Sequence, residues 1–237
     1  MSRNLETFAS KISVVGQLLR RQGADGRILV VGCGDGREAG QLARDFATEV
    51  VGIDIGADFA FETEAAWPAQ LMTMDAQDLQ FADGSFDVVY SFHALVEHIE
   101  HPLKALSEMR RVLRVGGVYL VGTPNRQRAV GYVGSASPVK DRIRWNLADW
   151  RDRARGRWSN ELGAHAGFTA TELLGLCEPR LGCANDVSDD YYLALYPGKA
   201  GVINSLVRTG LRRYAYPAVY VAGRRTGTEQ LLDIHEQ

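Results

Sequence analysis

A glycine-rich turn near the start of the chain is the first stretch whose residue types and spacing could do chemistry. Gly32, Gly34 and Gly36 follow an apolar run at residues 27–31 and precede a helical pattern that starts near residue 36. Because glycine has no side chain, such a turn lets a ligand approach the backbone closely. The turn could hold the phosphate of a nucleotide, or a nucleoside that carries no phosphate.

The spacing of the glycines argues against two familiar phosphate-binding turns. The dinucleotide pattern G-x-G-x-x-G requires a third glycine at position 37, where this chain has Arg37. The turn also lacks the Lys-Ser/Thr pair of a P-loop. Two interpretations remain, a plain tight turn between a strand and a helix or a site for a ligand other than a pyrophosphate.

Two acids follow predicted strands at the same edge of the predicted sheet. Asp54 ends the second strand, twenty residues after Gly34, and Asp75 comes just after the third strand. A carboxylate at the first position can accept hydrogen bonds from both hydroxyls of a ribose. A carboxylate at the second could accept a hydrogen bond from the amino group of a base. The pair therefore favours a nucleoside.

The elements that must position these residues alternate between strands and helices. An amphipathic helix is predicted at residues 4–22, where Phe8, Ile12, Val15, Leu18 and Leu19 recur at helical spacing. Further helices start near residues 36, 58 and 102, and strands are predicted at residues 27–31, 49–54, 69–74, 86–91 and 118–123. This alternation predicts an α/β fold, a Rossmann-like, doubly wound, mostly parallel sheet with helices on both faces.

The last third of the chain follows a different pattern. Residues 124–160 carry no strand pattern, and a helix capped by Thr169 is predicted at residues 169–179. Two more strands, at residues 187–196 and 218–224, complete a seven-stranded sheet whose last strand is antiparallel, and a helix is expected between them. The 237 residues suit one domain. Within it we expect an N-terminal helix at 1–23, a variable acceptor-side lid at 124–165 and an insertion at 197–215.

Four segments occur in the order typical of one enzyme family. They are GCGDG at 32–36, IDI at 53–55, DAQDLQFADGSFDVV at 75–89 and RVLRVGGVYLVGTPN at 111–125. With these segments the chain resembles the class I S-adenosylmethionine (SAM)-dependent methyltransferases of the small-molecule group. The resemblance covers about residues 25–125. It implies a Rossmann-like fold, SAM as cofactor and transfer of the SAM methyl group to an acceptor.

The resemblance also implies roles for individual residues. The glycines would let the backbone meet the amino-acid end of SAM, Asp35 would border that end, Asp54 would hold the ribose and Asp75 the adenine amino group. The full set of expected cofactor-binding residues is Gly32, Cys33, Gly34, Asp35, Gly36, Asp54, Ile55, Asp75, Ala76, Ser91, Phe92 and His93.

Histidines are the candidates for a general base. Of the five, His235 lies in a polar tail, and His101 precedes a proline that suits helix initiation. His98 belongs to a Glu-His pair that the family commonly has after the fourth strand, and the pair could equally be structural. His165 precedes a helix start and follows the TPN segment at 123–125, an arrangement that in several family members brings the histidine over the acceptor. His165 and His98 are therefore the predicted catalytic residues.

The arginines and tryptophans of residues 126–160 allow three interpretations. They could bind an anionic group of the acceptor, form a nucleic-acid patch, or belong to a solvated amphipathic helix whose tryptophans pack on the body. The arginines slightly favour the last interpretation, and we still expect the segment to wall the acceptor pocket. The residues concerned are Arg142, Arg144, Arg151, Arg153, Arg155, Arg157, Trp145, Trp150 and Trp158.

Composition argues against several classes of protein. The net charge of −2 provides no overall field toward nucleic acid, and Cys33, Cys177 and Cys183 show no CxxC spacing that would indicate a zinc site. No metal site is predicted. The start of the chain lacks the apolar run of a signal peptide, and no stretch approaches the ~20 apolar residues of a membrane span. We expect a cytoplasmic monomer or homodimer.

Together these observations predict a SAM-dependent methyltransferase that acts on a small molecule, most readily at an oxygen of a sugar, a quinone or a secondary-metabolite precursor. A SAM-binding protein without catalytic activity is the first alternative. A nicotinamide-dependent oxidoreductase is the second, and Arg37 argues against it. A methyltransferase for RNA or protein is disfavoured by the near-neutral charge.

Overall fold

The computed structural model describes residues 2–56, 59, 69–92, 101–132, 137–160 and 166–227, with side chains from residue 10 onward. These residues form one seven-stranded sheet in the order β3-β2-β1-β4-β5-β7-β6. The strands are β1 Ile28–Val31, β2 Val50–Asp54, β3 Ala69–Thr73, β4 Phe86–Phe92, β5 Leu113–Pro124, β6 Ala184–Asp186 and β7 Ala218–Arg224.

The first five strands are parallel, and β7 pairs antiparallel with both β5 and β6. From β1 the chain first adds β2 and β3 on one side and then returns to add β4 and β5 on the other. The strand order therefore reverses between β1 and β4. In open α/β sheets such a reversal places a ligand crevice at the carboxyl ends of the strands. The predicted α/β fold, with a mostly parallel seven-stranded sheet and an antiparallel last strand, is confirmed.

Helices cover both faces of the sheet. They are α1 Ser2–Arg21, α2 Arg37–Phe46, α3 Pro102–Val112, α4 Val139–Ala154, α5 Ala170–Leu181, α6 Ser188–Leu195, α7 Ala200–Arg208 and α8 Arg212–Ala215. One buried cluster lies between the sheet and α1, α2, α6 and α7, and a second lies between the sheet and α3 and α5. The predicted helix start near residue 58 lies outside the described residues.

Local sequence explains where several helices begin. The predicted cap of α5 is confirmed, because the Thr169 hydroxyl accepts from the Glu172 amide and the Glu172 carboxylate accepts from the Thr169 amide. Pro102 occupies the first turn of α3, where its missing amide proton costs nothing. The predicted helix at residues 4–22 is observed as α1, with Ile12, Val15 and Leu18 buried against the sheet.

The predicted strand at residues 187–196 is wrong, because this stretch is helix α6 and the strand before it is the shorter β6. The Asp186 carboxylate accepts from the Ser188 amide at the helix start, and Asp189 and Asp190 occupy the first turn, where acids are favourable. Tyrosines are common in strands, which misled the prediction. Here Tyr191 and Tyr192 are both buried, in a helix that packs against the sheet.

Candidate functional site

The glycine turn joins β1 to α2 through three residues in the left-handed region. The φ angles are 74° at Gly32, 53° at Gly34 and 88° at Gly36. The amides of Gly32 and Cys33 donate to the carbonyl of Ile53 at 2.8 and 2.9 Å, which ties the turn to the end of β2. Left-handed backbone favours glycine, so the local conformation accounts for all three.

Two of these glycines differ in what surrounds them. A Cβ added at Gly36 would lie 2.3 Å from a methyl carbon of Leu71, because the turn packs closely on β3. A Cβ added at Gly34 would meet nothing within 4 Å among the described residues. Gly36 is therefore needed for packing, whereas the space over Gly34 is open at the edge of the sheet where ligands bind.

Asp54 holds the turn from the neighbouring strand. One carboxylate oxygen accepts from the Gly34 amide at 2.8 Å, and the other accepts from the Gly56 amide at 3.1 Å. Ile55, the next residue, is 76% exposed although it is a large aliphatic side chain. The structure thus brings the predicted ribose acid and the predicted adenine contact to the open side of the glycine turn.

Asp75 lies one strand further along the same edge, after β3. Its carboxylate accepts from the Gln77 amide at 2.8 Å, which closes a short turn and leaves Asp75 half-buried. Ala76 is half-buried beside it and packs against the α3 side of the core. The predicted adenosine acids therefore come from adjacent parallel strands, with Thr73 paired to Asp54 in register.

A cavity of about 880 Å³ opens beside the glycine turn. The turn itself contributes Gly32, Cys33, Gly34 and Asp35 to its wall. The opposite wall comes from the C-terminal helices, with apolar side chains such as Leu195, Ile203 and Leu206. The volume suits a drug-sized ligand, which commonly occupies pockets of roughly 300–1,000 Å³.

Aromatic rings form much of the cavity floor. The rings of Tyr191 and Tyr220 stack with centroids 4.0 Å apart, and Phe92 stacks on Tyr220 at 5.3 Å with an interplanar angle of 10°. The rings of Tyr192 and Tyr216 lie 4.1 Å apart. The four tyrosines are only 2–7% exposed, so they form a rigid, closely packed part of the cavity wall. The predicted pocket residue Phe92 is part of this floor.

A carboxylate faces the cavity from α2. Glu38 lines the cavity two residues after Gly36, and the Tyr90 hydroxyl donates a hydrogen bond to it. Burial raises the pKa of the Glu38 carboxyl to about 7, an effect that the Tyr90 hydrogen bond opposes and the charge of Asp35 reinforces. The Lys11 ammonium also faces Glu38, and its own pKa is lowered, chiefly by burial. Glu38 can therefore exchange a proton near neutral pH.

Cys33 and Asp35 flank the turn with different chemistry. Burial, followed by the charge of Asp54, raises the pKa of the Cys33 thiol to about 12, so this thiol stays protonated at neutral pH and is a poor nucleophile. The Asp35 carboxylate accepts from the Arg37 amide at 3.1 Å and pairs with the Arg37 guanidinium at 3.2 Å. Asp35 keeps its place at the cavity wall as the predicted neighbour of the amino-acid end.

Six of the described predicted residues do not line the cavity: Gly36, Asp54, Ile55, Asp75, Ala76 and Ser91. Ser91 is fully buried, and its hydroxyl donates to the carbonyl of Val31 at 3.0 Å, so it links β4 to β1. His93, His98 and His165 lie outside the described residues. Their predicted roles stay predictions.

The TPN segment connects the end of β5 to the acceptor side. Asn125 is buried, and its amide nitrogen donates to the carbonyls of Arg213 and Tyr216 at 2.7 and 2.8 Å. It also forms a parallel bridge with Phe168. The guanidinium of Arg128, which lines the cavity, donates to the carbonyl of Ala166 at 3.1 Å. A residue of the cavity wall therefore holds the backbone of Ala166.

The described part of the arginine- and tryptophan-rich segment forms helix α4 and its flanks. Arg128 and Asp149 make a buried ion pair at 3.2 Å, and the Trp158 ring lies 4.9 Å from the Arg128 guanidinium. The Tyr132 hydroxyl donates to Asp149 at 3.2 Å, so this network joins α4 to two residues of the cavity wall. Arg128 and Tyr132 of this segment line the cavity, and its role as the wall of an acceptor pocket stays a prediction.

Sequence patterns missed Glu38, Tyr90 and the tyrosines of α6. Glu38 did not stand out because acids are common in the first turn of a helix. Tyr90 did not stand out because tyrosines are common in strands. The available signal was a charged residue two positions after the last glycine, on a helix that must pack against the sheet.

Residues 29–121 match the family model described as a methyltransferase domain. This range contains the glycine turn, both strand-end acids and Tyr90. Residues 29–121 form a class I SAM-dependent methyltransferase domain. The match ends before the TPN segment, so the C-terminal wall of the cavity lies outside it.

Individual relatives agree with this methyltransferase assignment. A probable S-adenosylmethionine-dependent methyltransferase of Mycolicibacterium smegmatis is 38% identical over 114 residues, covering 48% of this chain and 44% of that protein. The tocopherol O-methyltransferase of Arabidopsis thaliana is 33% identical over 104 residues, covering 41% of this chain and 30% of that protein. The matched part thus spans less than half the length of these curated relatives.

A solved structure shares the fold over most of this chain. The geranyl diphosphate C-methyltransferase of Streptomyces coelicolor, in complex with Mg²⁺, geranyl diphosphate and S-adenosyl-L-homocysteine, superposes with a TM-score of 0.52 at 18% identity. The superposition covers 90% of this chain and 79% of that one. At this identity the likeness supports the fold alone.

The described residues show neither a membrane-spanning helix nor a metal-binding cluster. They contain no helix long and apolar enough to cross a membrane. Within the same described ranges, no three histidine, cysteine or acidic side chains are grouped as a metal ion would require.

Proposed function

We propose that this chain transfers the methyl group of SAM to an oxygen of a small-molecule acceptor with an apolar, ring-bearing body. The observation that supports this most is the continuity of the two parts of the site. The wall that the glycine turn presents to the cavity faces stacked tyrosines and aliphatic side chains. A phenol or hydroquinone fits such a surface better than a sugar does, because its ring is apolar and can pack against the aliphatic and aromatic wall.

The residues present fit SAM. The open space over Gly34 admits the cofactor against the backbone, Asp54 offers a carboxylate for the ribose hydroxyls, and Asp35 offers one for the ammonium group. These are acids rather than the cations that a phosphate would need, which suits a cofactor without phosphate. When bound, SAM supplies a methyl group on a sulfonium, an activated electrophile.

We assign the role of general base to Glu38. A phenolic hydroxyl must lose its proton as it attacks, and a carboxylate with a pKa near the working pH is suited to accept it. Tyr90 orients this carboxylate by its hydrogen bond, and the aromatic floor keeps water away. Such a base contributes roughly 10²–10⁴-fold to the rate.

His165 and His98 remain alternative bases. His165 stays a candidate because of its place in the sequence between the TPN segment and the Phe-Thr helix start. A histidine and Glu38 could also share the work, one holding the acceptor and the other accepting its proton. Glu38→Gln, His98→Gln and His165→Gln, measured one at a time, separate these cases by which one lowers kcat.

Two other functions remain as proposals of lower rank. A SAM-binding protein without catalysis would have the same glycine turn, but it would not need an ionisable carboxylate in the acceptor cavity. A nicotinamide-dependent oxidoreductase would need a pyrophosphate site, and Arg37 stands where its third glycine belongs. We further propose a cytoplasmic location and a monomer or homodimer with no nucleic-acid partner.

Methyl transfer can be tested directly. The chain is incubated with methyl-deuterated SAM and a set of acceptors that contrasts apolar phenols and hydroquinones with sugars of similar size. Mass spectrometry should detect a methyl ether on at least one phenol and none on the sugars. Transfer to sugars alone would reject the apolar acceptor, and no transfer to any compound of an extract would favour the non-catalytic alternative.

A further inference from the structure

Helix α4 has an exposed apolar stripe. Val139, Ile143, Leu147 and Trp150 are each between 48% and 60% exposed, although all four are large hydrophobic residues. Their spacing of four, four and three residues places them within an arc of about 80° along roughly 16 Å of helix. A contiguous exposed apolar row of this kind marks a surface that contacts something else.

The exposed charges beside the stripe all have one sign. Lys140, Arg144, Arg151 and Arg155 are exposed and follow the stripe along one flank, at about 100° to 160° on the helix. Asp141 and Asp152 border the basic row and pair with Arg144 at 3.8 Å and Arg151 at 3.9 Å, whereas Asp149 is buried against Arg128. Asp141 and Asp152 are 27% and 25% exposed, against 74% and 58% for their neighbours Arg144 and Arg151. The outer face therefore exposes mainly apolar and cationic groups, with two less exposed acids at its border.

We propose that this face of α4, defined by the four apolar and four basic residues, docks on an anionic lipid surface. An amphipathic helix that carries Trp and aliphatic residues beside a row of Lys and Arg is the arrangement that lies in a membrane interface. Each basic residue near such a surface strengthens binding about fivefold. The net charge of −2 means that the whole molecule is not drawn to anions, so the attraction is local to this face.

Neighbouring residues extend the apolar surface beyond α4. The indole nitrogen of Trp150 donates to the carbonyl of Ala129 at 2.8 Å, and the Ala129 amide donates to the carbonyl of Tyr214 at 2.8 Å. Val130 and Tyr214 are themselves 48% and 42% exposed. Backbone bonds thus bring a loop residue and a residue of α8 beside the stripe.

The docking face adjoins the cavity. Arg128 and Tyr132 line the cavity and contact Asp149 of α4 from the other side. A membrane under this face would lie close to the acceptor pocket, so an apolar acceptor could enter from the lipid. This last step rests on the proposed function, whereas lipid docking itself does not require methyl transfer.

Vesicle flotation tests the docking with the full chain and no acceptor. The protein is mixed with vesicles of phosphatidylcholine alone or of phosphatidylcholine with phosphatidylglycerol, at about 0.1 M and 1 M NaCl. We expect flotation only with the anionic vesicles. The protein should be released at the higher salt, because the Debye screening length falls from about 10 Å to about 3 Å. Equal flotation with both kinds of vesicle, or none with either, would overturn the proposal.

Matched variants locate the surface. The pair Ile143→Asp/Leu147→Asp should abolish flotation, with Val115→Asp, a 57% exposed residue of β5, as the control that binds like the original chain. The pair Lys140→Glu/Arg144→Glu should weaken binding at least 25-fold, with exposed Lys104→Glu of α3 as its control. Thermal unfolding verifies that each variant is folded.

Other occupants of the face have distinct signatures. If two copies of the chain paired through it, sedimentation would show a dimer that Ile143→Asp/Leu147→Asp converts to a monomer, and flotation would be absent. That result would contradict docking on lipid. Flotation that survives both double variants would equally overturn it. Methyl transfer to a water-dispersed acceptor by the same variants reports on the proposed function independently.

Discussion

The two parts of the candidate site are built from different material. The part assigned to the cofactor is backbone, with three left-handed glycines and the amides that Asp54 holds at 2.8 and 3.1 Å. The part assigned to the acceptor is side chain, with tyrosines from β4, β7 and α6 around Glu38. A backbone site depends on a few conformations and tolerates little change, whereas a side-chain site can change its occupant by single substitutions. Substitutions in the side-chain part could thus change the acceptor while the chain still binds the same cofactor.

The sharpest way to test the acceptor part is to remove the proton-accepting carboxylate. Glu38→Gln should lower kcat by about 10²–10⁴-fold with little change in the affinity for S-adenosylhomocysteine. The kcat of the original chain should fall below pH 7, where Glu38 becomes protonated, and this dependence should vanish in the variant. Unchanged kcat in Glu38→Gln, with a large loss in His165→Gln, would transfer the role to the histidine.

Tyr90 provides a positioning test within the same cavity. Its hydrogen bond lowers the pKa of Glu38, so Tyr90→Phe should move the acid limb of the pH profile toward higher pH while activity at high pH is largely kept. A uniform loss at every pH would indicate a packing role for Tyr90 instead. Tyr119→Phe is the matched control, because Tyr119 is also buried in the sheet but bonds to carbonyls beyond the cavity.

Two alanine substitutions compare packing and binding within the backbone part. Gly36→Ala should lower the free energy of unfolding by about 2–3 kcal/mol, since the residue is left-handed and its Cβ would strike Leu71. Gly34→Ala should cost only about 1 kcal/mol of stability but should weaken S-adenosylhomocysteine binding more than Gly36→Ala does. Urea unfolding and calorimetry measure the two quantities, and the reverse order would show that the open space over Gly34 is not the cofactor's.

Asp54→Ala tests the acid that holds the turn. Affinity for S-adenosylhomocysteine should fall by about 1–3 kcal/mol, because ribose hydroxyls and the Gly34 amide lose their acceptor. Asp78→Ala, an exposed acid on the turn after β3, is the matched control. Equal affinity in both variants would remove Asp54 from the site.

Glu38 also has an expected effect on stability that depends on pH. The folded pKa of Glu38 is raised to about 7, above the ~4.3 of an exposed glutamate, so its contribution to stability is present below pH ~4 and is lost as pH rises through 7. Glu38→Gln should therefore be more stable than the original chain at pH 8, by about 2 kcal/mol, and equal to it at pH 4. Urea unfolding at both values checks this, with exposed Glu178→Gln expected to show no such difference.

The cofactor part of the site can be predicted from the sequence, whereas most of the acceptor part cannot. Glycine spacing and strand-end acids are local patterns, so the turn at Gly32–Gly36 and the position of Asp54 could be predicted. The cavity depends on contacts between distant segments, such as Tyr90 with Glu38 and Tyr191 with Tyr220, which no local pattern records. Helix α6 was missed for a related reason. Its tyrosines favour a strand by local propensity, and their packing against the sheet depends on contacts with distant segments.

The most direct test of the central claim is a calorimetric titration of the intact chain. The central claim is that the turn, with its strand-end acids, holds the adenosine and amino-acid parts of SAM rather than a pyrophosphate. Titration with S-adenosylhomocysteine should show saturable binding of one equivalent, and titration with a nicotinamide dinucleotide should show none. Saturation with the dinucleotide and no heat with S-adenosylhomocysteine would contradict the account.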